Sequence, residues 1–320
     1  MNKYDSEFQK GMEEFLVEFK EKIQYLPSIN KNKMWQYSDI GDNLYPPIKH
    51  GFLQFAYDTA IPFHDYINHV RSSQAFGINI FYPLLRKEPD KILSVFSELK
   101  GIKLNKIIGY SFEYSCEKDV FGEWKSEKRP DEYITSTDIA IFMEDTHKKK
   151  YAFLIEVKFT EVSFSSCGGF SSKGNNKENR EICDSRDRLY EDYKKCYLHR
   201  LTKGKSARKY FDYFGNLYKS FPNLPEIKIC PFKNNNQCLR NHALARALKE
   251  LKNGDKVDYS YFGLAFHDRN SEIQKEWDNY CNLLSEELKQ EVFSLPVSKL
   301  IRTSGDLTYL RYFKDRYKIG

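Results

Sequence analysis

Asp138, Glu156 and Lys158 are the residues whose types and spacing could do chemistry. They sit in two apolar runs, Asp138–Met143 and Tyr151–Phe159, on either side of the polar stretch 145–150. Both runs read as strands, and the stretch between them as the turn of a hairpin. Side chains alternate faces along a strand. Tyr151, Phe153, Ile155, Val157 and Phe159 therefore share one wholly apolar face. Ala152, Leu154, Glu156 and Lys158 share the other, which begins apolar and ends with two opposite charges. If Met143 pairs with Tyr151, antiparallel register sets Asp138 opposite Glu156, with Cβ atoms roughly 5 Å apart. A charge pair closing an apolar strand needs a reason, because burying charge is costly. The bland alternative is an ion pair on an edge strand.

Two carboxylates and a lysine so placed suit a divalent ion. Mg²⁺ or Mn²⁺ takes hard oxygen ligands, and here these would be Asp138, Glu156 and the Val157 carbonyl. Such an ion polarises a phosphate and lowers the pKa of bound water. Lys158 would orient that water or offset charge growing on the phosphate. Glu113 or Glu117, in or just after the preceding strand, offers a further carboxylate.

The surrounding elements must position this hairpin. Phe8, Met12, Phe15, Leu16 and Phe19 recur at helical spacing, predicting a helix over 5–27. A helix capped by Ser72 or Ser73 runs to about Leu85, and Pro89 and Asp90 open another from Lys91 to Leu99. Lys106–Tyr114 reads as a strand, 163–180 as a polar loop, and 184–201, 206–220 and 236–252 as helices. A strand Tyr259–Phe266 and a helix near 271–285 follow. This order predicts an α/β (or α+β) fold with a central mixed sheet flanked by helices. A helical region would occupy 1–100, the core 101–270 with a Cys-containing helical insertion at 160–235, and a helical extension 271–320.

Hydrophobic residues make up 40% of the 320 residues, ample for a buried core. The net charge of +6 permits a polyanionic partner without demonstrating one. The densest basic run is Lys194, Lys195, His199, Arg200, Lys203, Lys205, Arg208 and Lys209, either a solvated helix face or a phosphate-contacting one. No apolar run approaches the ~20 residues needed to cross a bilayer, and no signal peptide is recognisable, so a cytoplasmic location away from membranes is expected. No P-loop, G-x-G-x-x-G or H-E-x-x-H occurs, which argues against nucleotide-driven chemistry and zincin-type hydrolysis.

At Thr137-Asp138-Ile139-Ala140-Ile141 and Ile155-Glu156-Val157-Lys158 the sequence resembles the PD-(D/E)xK nuclease superfamily. Pro130-Asp131 spells the family's dipeptide but lies in a polar loop, so Asp138 is the better match. Three blocks resemble a bacterial family of restriction endonucleases within it: Ser72–Asn79, Glu156–Glu161 with Cys167, and Cys230-Pro231-Phe232 with Gln237–Asn241. The resemblance implies a restriction-endonuclease-like core cutting DNA with Mg²⁺, in restriction or phage defence; a homodimer is one option for its assembly. A repair exonuclease and an inactive nucleic-acid-binding relative are the alternatives. Gln237 resembles a downstream glutamine of RecB-type nucleases, although Asn241 stands where those have tyrosine.

Cys167, Cys183, Cys196 and Cys230 all follow the catalytic strand without a C-x-x-C pair. By spacing alone they read as separate thiols. Related nucleases clamp an iron–sulfur cluster with four cysteines, one of them usually ahead of the core. The resemblance therefore leaves a structural Zn²⁺, a [4Fe–4S] cluster or nothing. Cys116, Cys238 and Cys281 read as small core residues.

Overall fold

The computed structural model describes residues 6–19, 28–29, 35–124, 134–171, 177–197, 199, 208–222, 229–251 and 256–319. Helices α1 (Glu7–Phe19), α2 (Lys49–Asp58), α3 (Ser73–Lys87) and α4 (Pro89–Lys100) precede the sheet. Ser72 caps α3, its side chain accepting from the Ala75 N–H at 3.2 Å. Pro89 opens α4, where its missing N–H has no helical partner to lose. Gly101 ends that helix at φ 64°, a left-handed conformation that costs glycine little.

Strands β1 (Leu104–Ser115), β2 (Ser136–Asp145) and β3 (Lys150–Lys158) form an antiparallel meander. The chain then passes through short helical segments and α5 (Asn236–Leu248) before β4 (Tyr259–Phe266) pairs parallel with β3. Helix α6 (Ser271–Leu283) leads to β5 (Val292–Pro296), parallel to β4, and α7 (Leu307–Tyr317) follows. The result is a five-stranded mixed sheet in sequential order, flanked by helices: an α/β fold. β5 is a strand that the sequence pattern did not signal, since its five residues are short and surrounded by helix.

Two apolar clusters lie on the two faces. One joins α1 to α4 and α7 to Phe153, Ile155 and Val157; the other joins α5 and α6 to Ala152 and Leu154. β3 is the central strand rather than an edge, which removes the bland reading of its charge pair. Gly77 lets α3 approach it closely: a Cβ there would stand 3.2 Å from Val157 Cγ2.

Two expected long helices are broken. Residues 186–191 are α-helical, a 3-10 turn covers 193–195, and 210–214 and 217–220 are separate short turns. Asp192 and Gly215 stop them, with ψ 75° and φ 62° respectively. Of the basic run, Lys194 and Lys195 lie on the 3-10 turn, and Arg208 and Lys209 precede the next one. Lys195 pairs with Asp192, and Arg208 donates to the Gly122 carbonyl at 2.6 Å. Arg200, Lys203 and Lys205, like Pro130 and Asp131, lie outside the described residues.

Candidate active site

Met143 pairs with Tyr151 and Ile139 with Ile155, so the next position sets Asp138 opposite Glu156. On the other side, Phe112 pairs with Ile139 and Tyr114 with Thr137, which sets Glu113 opposite Asp138. Three carboxylates thus stand in line on three neighbouring strands. Glu156 and Lys158 close the carboxyl end of β3, beside the parallel strand β4, where open α/β sheets usually place ligands.

Glu156 is 2% exposed and Lys158 8%. The Glu156 carboxylate accepts from Gln237 Nε2 at 2.6 Å and Asn241 Nδ2 at 2.8 Å, and its Oε1 is 2.8 Å from Lys158 Nζ. Gln237 and Asn241 are one turn apart on α5, so one helix face holds both carboxylate oxygens. That helix is buried along most of its length, and the half-buried Gln237 side chain turns inward to Glu156. Asp138 Oδ2 accepts from the Val157 N–H at 2.6 Å.

Glu113 turns away from regular strand geometry at φ 51°, a strained conformation for a side chain of its size. Its buried carboxylate accepts from Gln74 Nε2 at 2.7 Å and lies 3.1 Å from His64 Nε2. Glu117, the other option, is exposed. Glu161 curls back so that Oε2 accepts from the Phe159 and Thr160 N–H groups.

The electrostatics follow from crowding. Asp138 keeps some exposed surface, but the protein around it desolvates its carboxyl and pushes its pKa well up. The neighbouring charges of Glu156 and Glu113 add to that rise, against the opposing pull of Lys158 and the Val157 N–H. Burial also raises Glu156, although Lys158 opposes it. For Lys158 burial acts downward, but Glu156, Glu161 and Asp138 outweigh it and hold the ammonium firmly protonated. Glu156, Glu161 and Asp138 thus act on one lysine, and Glu113 acts on the Asp138 and Glu156 carboxylates beside it. His64 adds positive charge only when protonated; its bond to Glu113 raises its pKa despite burial.

Hard oxygen donors carrying excess negative charge fit a divalent cation by donor chemistry. Among the described residues, however, no three acidic, histidine or cysteine side chains already stand in metal-holding geometry. The oxygens of Glu156 are engaged with Lys158, Gln237 and Asn241 instead.

Gln74, His64, Asn241 and Glu161 are neighbours of the candidate site that the sequence reading did not assign to it. Gln74 and Glu161 fall within the blocks Ser72–Asn79 and Glu156–Glu161, so proximity to those blocks was the available signal. His64 carried none.

The four later cysteines come from separate segments but approach one another. The Cys230 N–H donates to the Cys183 carbonyl at 2.7 Å, and the Cys167 N–H to the Lys233 carbonyl at 2.7 Å. Burial pushes the Cys230 thiol well up, and Cys196, Cys167 and Cys183 lie close enough to add to that rise. Of the remaining cysteines, Cys116 and Cys238 are buried and Cys281 is half-buried.

A family model described as Restriction Endonuclease associating with ARP matches residues 19–318. No curated protein and no solved structure gives a significant match. Among the described residues no helix is long and apolar enough to cross a membrane.

Proposed function

Because the chain belongs to the family of restriction endonucleases associating with ARP, we propose that it is a PD-(D/E)xK deoxyribonuclease that hydrolyses phosphodiesters with Mg²⁺ or Mn²⁺. The observation that carries this reading is the carboxylate cluster at the carboxyl end of β3: Glu156, Glu161 and Asp138 act on the buried Lys158 ammonium, and Glu113 acts on Asp138 and Glu156. Repulsion among buried carboxylates is relieved by a bound cation, which would exchange some of the present contacts for ligation.

Asp138, Glu156 and the Val157 carbonyl would hold the ion, with Glu113 in reserve. The ion would supply charge to polarise the phosphate and acidify a water. The protein's own groups do the rest. Gln237 and Asn241 fix the Glu156 carboxylate from above, and the Val157 N–H fixes Asp138. Lys158, kept protonated, places a positive charge where negative charge grows on the phosphate as water attacks. The P–O bond to the leaving strand then breaks.

The test is incubation with linear and closed-circular DNA, with Mg²⁺, Mn²⁺ or EDTA. Cleavage of both forms, lost in EDTA, is expected of an endonuclease. Cutting only linear DNA would indicate an exonuclease, and binding without cutting an inactive relative. The cysteine region extends the proposal: Cys167, Cys183, Cys196 and Cys230 would gather on one structural metal, supported by the backbone bonds from Cys230 to Cys183 and from Cys167 to Lys233, although the four side chains do not stand in metal-holding geometry without it.

A further inference from the structure

A second feature adjoins the carboxylates. An open cleft of about 510 Å³ lies between α1, the segment from Trp35 to Ser73, and the end of the catalytic strand. Its contact with the site is direct. His64 lines the cleft and lies 3.1 Å from Glu113. Ser73 lines it too, and the next residue, Gln74, donates to Glu113 at 2.7 Å. Glu161, on the far wall, acts electrostatically on both Glu156 and Lys158.

The lining combines ring faces with polar and cationic groups. Trp35, Tyr66 and His69 contribute aromatic surface. Tyr66 is 56% exposed, and its ring packs on that of His69 with centroids 4.8 Å apart and planes 38° apart. His69 is buried, and desolvation lowers its pKa, so the imidazole backing Tyr66 is neutral at neutral pH. Arg71 is set in place by Glu13, Nε to Oε2 2.9 Å. The volume falls in the range of small-ligand pockets and is far too small for a duplex.

Resting on the nuclease reading above, we propose that this cleft binds one unstacked nucleotide of the strand being cut, with its base against Tyr66. An aromatic platform accepts any base, because every base has a π face. His64 lines the cleft and contacts Glu113, as does Gln74 beside the lining residue Ser73, so that nucleotide would sit next to the carboxylate cluster. Recognition here is of a single-stranded or locally opened nucleotide.

The experiment compares a short oligodeoxyadenylate with the same strand carrying abasic sites, titrated by calorimetry into the full chain and into Tyr66→Phe and Tyr66→Ala. The wild type and Tyr66→Phe are expected to favour the base-bearing strand by roughly tenfold, and Tyr66→Ala to lose that preference. Thermal melting of each variant reports whether the fold is kept, and Tyr66→Phe retains the ring if Tyr66→Ala does not fold. Equal affinity for the two strands in the wild type, no binding of either, or a preference surviving in Tyr66→Ala each overturns the cleft assignment. DNA cleavage is assayed on the same preparations. A wild type that cuts DNA but lacks base preference sinks the cleft alone. A wild type that cuts nothing sinks the nuclease reading, and a Tyr66-dependent base preference would then stand as nucleotide binding.

Discussion

Gln237 Nε2 donates to Glu156 Oε1 across 2.6 Å although 81 residues separate the two. With Asn241 on the other oxygen, α5 fixes the orientation of a carboxylate on the central strand. Partners that orient a metal-ligating group commonly matter by 10–100-fold. Gln237→Ala is therefore expected to lower the single-turnover cleavage rate about tenfold or more, with DNA affinity little changed. An unchanged rate would remove Gln237 from a positioning role.

Asp138 and Lys158 should respond oppositely in stability. Asp138 is crowded by like charge, so Asp138→Asn removes repulsion while keeping shape. It is expected to abolish cleavage and yet raise Tm by about 2 °C, a trade of stability against activity. Lys158→Ala strands buried carboxylates without their cation, which typically costs about 3–5 kcal/mol. It should also inactivate, with a clear fall in Tm while DNA binding persists. Calorimetric melting beside a cleavage assay decides both. A fall in Tm for Asp138→Asn would contradict the crowding argument. Glu156→Ala is likewise expected to be inactive.

Glu291 should govern part of the acid stability. Burial acts to raise its pKa, but bonds from His242 and Lys249 and the charge of Arg246 outweigh it and hold it at about 2. His242 is itself buried and lowered, so near neutrality it is a neutral donor and the cations are Arg246 and Lys249. A depressed pKa gives stability that is present above the ordinary glutamate value, near 4.5, and lost as pH falls toward 2. Melting of the wild type should drop more steeply from pH 4.5 to pH 2 than that of Glu291→Gln. Parallel curves would show that Glu291 contributes nothing to acid sensitivity.

The cysteine proposal predicts stoichiometric metal in the purified chain. Elemental analysis should find one zinc or four irons, the latter with visible absorption. Cys230→Ser, at the residue whose backbone N–H donates to the Cys183 carbonyl, should reduce that content and lower Tm. Metal-free protein with an unchanged melting curve in chelator would refute a shared site.

The hairpin was legible from sequence because its physics is local. Alternation along Tyr151–Phe159 assigns one face to the core, and a short turn leaves little choice of register, so Asp138 falls opposite Glu156. The caps of α3 and α4 were legible for the same reason: Ser72 and Pro89 act on the turn beside them. Local pattern did not reach further. The broken helices at 186–195 and 210–220 carry helical composition, but residues such as Gly215 in unusual backbone geometry interrupt them. β5 is too short to announce itself and becomes a strand only because β4 offers an edge. The remaining partners of the site, Gln237, Asn241, Gln74 and His64, come from α5, the start of α3 and the loop before it. Their approach depends on packing across both sheet faces, such as the close contact Gly77 allows between α3 and Val157. Sequence alone determined which strand carries the charges and which carboxylate lies opposite. Only the tertiary structure decided that the strand is central, that the charges are buried, and which distant amides hold them, because burial and long-range contact depend on the packing of the whole chain.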